Sequence, residues 1–423
     1  MTEELFPDGG VSDGLRALSQ VLTGVRVSAD DLDPATDWVA VCDLAREHGM
    51  TSVLYWKMEK DGVAPSAPHI TAEAREGLQR DFYVAAARAM VAEWRLVSVL
   101  KALEAADVPA LVIKGAAIAA WYPDPALRPY GDLDLLVRRT QLDEAVSALE
   151  RQGYHCTYSP AWSLEYGYDV PMASHDGTSV VELHWRLDYS AGVGCLPVED
   201  LWERAIPYLM DGQAGLQLEP VDMVLHLCSH ATVKHRAHLG LRPLYDLAQI
   251  TRDWEPARWE TLTRRASDYG LARPVFLTLT LSEQVLGLVV PEEVMSALQP
   301  AGNTPLPPTL VALLLDRPLR SQMIDVPAAM VQAGVERTLT GKLGRLLWHL
   351  FLPRHGMAVI YRIPADSHRI WLTYLRRPVD LLRRYGGTVW AILGGQQAAR
   401  AAWGREAWLE RWLRADAQRD DGA

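Results

Sequence analysis

Cysteine is scarce in this 423-residue chain: Cys42, Cys156, Cys195 and Cys228 lie far apart and form no C-x-x-C pair. That spacing excludes a zinc ribbon and a disulfide framework, and it predicts buried thiols in a reducing compartment. No stretch approaches the ~20 consecutive apolar residues that span a bilayer. The acidic opening MTEELFPDGG has no basic stretch followed by an apolar core, so no signal peptide is expected and the expected location is cytoplasmic. Also missing are a G-x-S-x-G elbow, a phosphate-binding P-loop and a G-x-G-x-x-G fingerprint, which removes three large enzyme classes. What is present is globular in composition, with 49% hydrophobic and 22% charged residues.

Charge is unevenly spread. The formal net charge is -11, yet the span from Lys342 to Arg414 carries 13 Lys/Arg against 4 Asp/Glu. Six of the 15 tryptophans fall there too: Trp348, Trp371, Trp390, Trp403, Trp408 and Trp412. Basic residues interleaved with aromatics suit a polyanion or an anionic membrane surface. The commoner fate of such a pattern is a helical layer whose tryptophans dock on the body of the protein.

Four regions are expected along the chain. Residues 1–108 read as helical, with Asp37 to Met58 broken at Gly49 and a long amphipathic stretch from the N-cap Thr71 to Ala106. Residues 109–200 change character: short strands at Leu111–Ile113, Asp132–Val137 and Tyr154–Tyr158 enclose a helix at Gln141–Gln152. The Asp176-Gly177 pair then predicts a hairpin between Tyr168–His175 and Thr178–Arg186. Residues 201–300 return to helix, notably Val221–Ile250 and Trp259–Leu288. The proline-rich QPAGNTPLPPT at 299–309 reads as a linker to a basic, Trp-rich helical region at 310–423, ending in a frayed ADAQRDDGA. The expected class is α+β: a small mixed sheet embedded in a mainly helical protein.

One constellation carries chemistry. Alternate residues of a strand share a face, so Asp132 and Asp134 project together while Leu133 and Leu135 enter the core. In VVELHWR the residues Glu182, His184 and Arg186 share a face in the same way. If the two strands are neighbours, three carboxylates meet and repel unless a cation joins them. Oxygen-only ligands suit Mg²⁺, with Mn²⁺ the alternative, and a two-ion site of this kind supports phosphoryl or nucleotidyl transfer. Gly115, closing one strand and opening a helix, lets backbone N–H groups approach a phosphate, with Lys114 and Arg128 to offset its charge. The histidines at 226, 230, 235 and 238 have no companion motif that would make a zinc site.

KGAAIAAWYPDPALRPYGDLDLLV followed by VVELHWRL resembles the nucleotidyltransferase superfamily with the DNA polymerase β-type fold. More narrowly it resembles a bacterial family of uncharacterised nucleotidyltransferases, the type-five NTP transferases. DLAREHGMTSVL upstream and LHLCSHATVKHRAHLGLRPLYDLAQI downstream extend the resemblance to roughly residues 35–290. The resemblance implies that Gly115 is the turn glycine, Asp132 and Asp134 the metal pair, and Glu182 the third carboxylate and general base. Lys114, Gly115, Ala116 and Arg128 then fall on the nucleotide side, and His184, His230, Arg242 and Asp246 on the acceptor side. Two departures stand out: Ala116 replaces the second small turn residue and removes a hydroxyl, and the YPDPALRPYG loop lengthens the spacing to Asp132.

The expected activity is Mg²⁺-dependent transfer of a nucleoside monophosphate from an NTP to a hydroxyl of a small molecule, protein or peptide, releasing pyrophosphate. Glycosyl transfer from a nucleotide-sugar and a non-catalytic nucleotide-binding protein are the alternatives. The acidic body disfavours a long nucleic acid as acceptor, because its phosphates would be repelled.

Overall fold

The computed structural model describes residues 12–24, 35–61, 70–157, 160, 163–164, 167–187, 193–234, 240–300, 306, 338–361, 363–364 and 366–414. The chain opens with helices α1 (Asp13–Thr23), α2 (Trp38–Glu47), α3 (Thr51–Asp61) and the 33-residue α4 (Ala72–Glu104). Each local signal has a visible cause. Asp37 caps α2 by accepting from the N–H groups of Val39 and Ala40, and Thr71 caps α4 through Ala74 N–H. Gly49, at φ +66°, separates α2 from α3. A Cβ at Gly49 would occupy the space filled by the Arg242 guanidinium, so this glycine is required both by its backbone and by its neighbour.

The sheet follows. Its strands are β1 (Ala110–Val112), β2 (Asp132–Val137), β3 (Tyr154–Cys156), β4 (Asp169–Ser174), β5 (Val180–His184), β6 (Ile206–Met210) and β7 (Gln213–Gln217). They lie in the order β3-β4-β5-β2-β1-β7-β6. β2 pairs parallel with β5 and antiparallel with β1, while β1 pairs parallel with β7. The interleaved helices are the short α5 (Ala116–Ala119), α6 (Leu142–Arg151) and α7 (Val198–Glu203). The core of the sheet is aliphatic: Leu111, Leu135, Leu136, Val137, Val170, Val181 and Leu183 are all fully buried.

Two expectations need correcting here. The sheet does not stop at residue 200: β6 and β7 form a hairpin over Asp211-Gly212, both at positive φ, and β7 supplies a neighbour for β1. The helices expected at Val221–Ile250 and Trp259–Leu288 are each broken. The first divides into α8 (Pro220–Ser229), a π-helical turn (His230–Lys234) and α9 (Leu241–Thr251). The second becomes α10 (Pro256–Asp268) and α11 (Ala272–Leu286), parted by Gly270 at φ +68°. Helix α12 (Glu292–Leu298) completes this part.

Four more helices follow: α13 (Leu339–Leu350), α14 (Arg354–Tyr361), α15 (Ile370–Leu393) and α16 (Gln397–Arg414). Most of the 299–309 linker, and the ADAQRDDGA tail, lie outside the described residues. Helix α16 docks on the body as expected, with Trp412 buried and its carbonyl accepting from Arg273 Nη1 at 3.0 Å. Other tryptophans of the segment do not dock: Trp348, Trp371 and Trp390 are exposed. The thiols of Cys42 and Cys228 are buried and that of Cys156 is half-buried. Cys195 is exposed, contrary to the expectation of buried thiols.

Candidate active site

The parallel register of β2 and β5 sets Asp134 opposite Glu182, Asp132 opposite Val180 and Leu136 opposite His184. Opposed residues of neighbouring strands point to the same face, so the alternation of DLDLL and VVELH delivers Asp132, Asp134, Glu182 and His184 to one side. Oxygen atoms of Asp134 and Glu182 and a ring nitrogen of His184 lie within 4.8 Å of one another. This is a donor set that fits a divalent cation. Among the described residues, no such cluster includes Asp132, which begins β2 at the exposed rim.

His184 is wholly buried. Its Nε2 lies 3.1 Å from Asp134 Oδ1 and 3.3 Å from Glu182 Oε2, and Tyr168 stacks on its ring. His184, an acceptor-side candidate in the sequence, thus sits buried against both carboxylates. Burial opposes its protonation, but the hydrogen bonds to Asp134 and Glu182 outweigh that and raise its pKa above the ordinary 6.5.

Lys114 reaches the same Asp134 carboxylate. Its Nζ lies 2.7 Å from Asp134 Oδ1 and 3.3 Å from His230 Nε2. Although burial works against its charge, Asp134 is held below the ordinary carboxylate range by Lys114 and His184. The repulsion expected among the acids is thus relieved in part by protein cations. Asp132 responds oppositely: lost solvation and the neighbouring Asp134 charge raise its pKa. Glu182 is lowered, chiefly by its hydrogen bond with His184.

A stability profile follows by linkage. A raised histidine pKa contributes stability that is full below pH 6.5 and lost as pH climbs through the raised folded value. Chelator-treated protein is therefore expected to weaken as pH rises above 6.5, and His184→Gln to flatten that limb. Urea denaturation across the range measures it; an unchanged slope in the variant would refute the assignment.

A second cluster secures the loop before β2. Arg128 donates from Nε to Asp246 Oδ1 at 2.7 Å and from Nη2 to Oδ2 at 2.9 Å, and Tyr122 donates its hydroxyl to Oδ1 at 2.7 Å. Burial works against the Arg128 charge, but Asp246 outweighs it and keeps the guanidinium charged. The sequence reading put Arg128 and Asp246 on opposite sides of the reaction; the fold binds them together. Arg242 lies alongside, donating to the carbonyls of Gly49 and Pro129. Burial, then the Arg128 charge, lowers its pKa.

Lys114, Gly115, Arg128, Tyr130, Asp132, Asp134, His230, Arg242 and Asp246 line one cavity of about 230 Å³. Gly115 sits at φ +49° against the Tyr130 ring, a backbone state that L side chains rarely adopt. Ala116 is buried in the first turn of α5. Sequence reasoning missed Tyr122, Tyr130 and Lys234. Lys234 lies over the Tyr168 ring at 4.9 Å. Its signal was available, since His226, His230 and Lys234 recur every four residues, as on one helical face. His226 is buried beside His230, with ring centres 5.8 Å apart, while His235 and His238 lie outside the described residues.

Residues 34–287 match the family described as "Uncharacterised nucleotidyltransferase". The chain belongs to that family. It is accordingly a transferase, and its general chemistry is nucleotidyl transfer. The match takes in the whole sheet and helices α2 to α11, and ends at Gly287 just past α11. Among solved structures, one similar chain is the solution structure of the antibiotic-resistance factor ANT(2'')-Ia. It is 14% identical and is aligned over 43% of this chain and 94% of that one, with a TM-score of 0.32. That likeness is too weak to place any residue. No curated protein matches the sequence.

Proposed function

We propose that this nucleotidyltransferase moves a nucleoside monophosphate from an NTP to a hydroxyl acceptor, with Asp132, Asp134 and Glu182 as its working carboxylates. The carrying observation is that Lys114, the Gly115 turn, Asp132 and Asp134 line one cavity, with Glu182 one ladder step across from Asp134. Asp134 and Glu182, with Asp132 at the rim, would hold Mg²⁺, or Mn²⁺ in its place. Such an ion neutralises phosphoryl oxygens and polarises the phosphorus for attack.

The remaining work belongs to the chain. The cavity wall holds three cationic side chains, Lys114, Arg128 and Arg242, and three carboxylates, Asp132, Asp134 and Asp246. A bound triphosphate would unbalance that wall, which supports a requirement for added positive charge. Lys114, Arg242 and His230 share that cavity with the Gly115 turn, so they serve the phosphates in this reading and not a separate acceptor subsite. His184 fixes the orientation of Asp134 and Glu182 through Nε2. Glu182, ionised at neutral pH and partly open to solvent, accepts the acceptor's hydroxyl proton. The acceptor oxygen bonds to the α-phosphorus as the bond to the bridging oxygen breaks, and pyrophosphate departs. Arrangement and charge supply most of the rate. The acidic body supports a small molecule or a protein or peptide hydroxyl as acceptor, and the scarcity of cysteine supports a cytoplasmic setting.

The test uses NTPs labelled at the α- or γ-phosphate, incubated with the protein, Mg²⁺ and a cytosolic extract. The α-label should pass to an acceptor and the γ-label to pyrophosphate. Transfer of a hexose from a nucleotide-sugar, with no α-label retained, would overturn the proposal. Thermal denaturation gives a separate check. The correct NTP with Mg²⁺, at a hundredfold excess over its dissociation constant, should stabilise the fold by about 2.7 kcal/mol. No shift with any of the common NTPs would count against a nucleotide site.

A further inference from the structure

The basic C-terminal segment presents an apolar face that the fold leaves open. Helix α15 buries Ile370, Thr373 and Arg377 against the preceding helices, with Arg377 Nε donating to the His349 carbonyl and the Tyr374 hydroxyl to the Leu352 carbonyl. Its opposite side carries Leu372, Leu375, Val379 and Leu382, three or four residues apart, and Trp390 two turns further on, as one helical stripe. These are the residues a core would normally claim, yet Leu375 is 75% exposed, Leu382 68% and Trp390 77%.

Charge selects the occupant. Arg369 and Arg383 are exposed on the flank of the stripe and Arg384 is exposed on the far side of the helix, and no carboxylate pairs with any of the three among the described residues. Helix α15 itself carries four arginines and a single acid, Asp380. A second copy fits poorly. Pairing two such stripes would bring arginine flanks together without acidic partners, and Pro378 and Gly386 interrupt the seam. Nucleic acid would leave Leu372, Leu375, Val379 and Leu382 unmatched. By contrast, the open stripe of α4 (Tyr83, Met90, Trp94) lies on a helix with five acids and five bases, and singles out no partner.

We infer that α15 is an interfacial helix that seats this protein on an anionic lipid surface. Leucine and tryptophan enter the boundary between headgroups and acyl chains, and the flanking arginines meet lipid phosphates. The helix lies in the plane of the membrane, for no described helix is long and apolar enough to cross one. The inference stands independently of the transfer reaction.

The experiment is co-sedimentation of the full chain with sucrose-loaded vesicles of phosphatidylcholine alone or mixed with phosphatidylglycerol. Binding to the anionic vesicles should exceed binding to neutral ones by about tenfold or more and weaken with salt. The pair Leu375→Glu and Leu382→Glu, at exposed positions, should abolish it without changing the circular dichroism. The pair Arg369→Glu and Arg383→Glu should remove the preference for anionic lipid. Absence of vesicle binding, or binding indifferent to the leucine pair, overturns the inference. So does a dimer in sedimentation velocity that the leucine pair dissociates, or an acidic protein held by the stripe in place of lipid.

Discussion

Asp134→Ala should cost the protein both its reaction and part of its stability, whereas Asp132→Ala should cost the reaction alone. The two acids are two residues apart and share a strand face, but their surroundings differ. Asp134 is 5% exposed and accepts from Lys114 Nζ and His184 Nε2. Removing it strands an ammonium and an imidazole in a poorly solvated place. Breaking a buried pair in this way costs about 3 kcal/mol or more. Asp132 stands at the exposed start of β2, so its loss leaves no comparable vacancy. For the reaction, either substitution should lower label transfer by about a thousandfold or more, as the loss of a preorganised charge commonly does. Urea midpoints and label transfer, measured on both variants, separate the two effects. Full activity in Asp134→Ala would remove it from the site. Equal stability loss in both would contradict the environments described.

The distinction between those acids marks what the sequence could express. Strand periodicity is local, so DLDLLV and VVELH declare which side chains share a face, and Asp176-Gly177 declares the hairpin that returns β4 to β5. Adjacency of β2 and β5 is not local, and came only with the resemblance. The partners of Lys114 were hidden for the same reason. No local pattern announces that α8 and its π-turn bring His230 within 3.3 Å of the Lys114 ammonium. The β6–β7 hairpin is a different failure. Asp211-Gly212 carries the same turn chemistry as Asp176-Gly177, but IPYLM and QAGLQ alternate too weakly to read as strands. Their place in the sheet depends on β7 meeting β1. The broken helices show the converse limit. An unbroken apolar period runs through His230, and nothing local announces the π-helical step that packs there against α11.

Asp246→Ala is expected to be among the most damaging single changes outside the carboxylate cluster. Asp246 is 1% exposed on α9, and it receives three hydrogen bonds, two from Arg128 and one from Tyr122. Those donors flank the loop that delivers Asp132 to the cavity, so one carboxylate ties the helical half of the site to its strand half. Deleting it leaves a buried guanidinium without its anion, a loss of about 3–5 kcal/mol, read as a lowered urea midpoint. The double variant Arg128→Met with Asp246→Leu distinguishes structure from function. A well-packed apolar pair of similar volume can match a buried ion pair in stability, so the double variant should recover most of the midpoint. It should not recover the Michaelis constant for the NTP if the Arg128 guanidinium, which edges the cavity, also meets the triphosphate. Recovery of both would make the pair a fastening only. A single variant that loses less than about 1 kcal/mol would show that the loop is held by something other than this clamp.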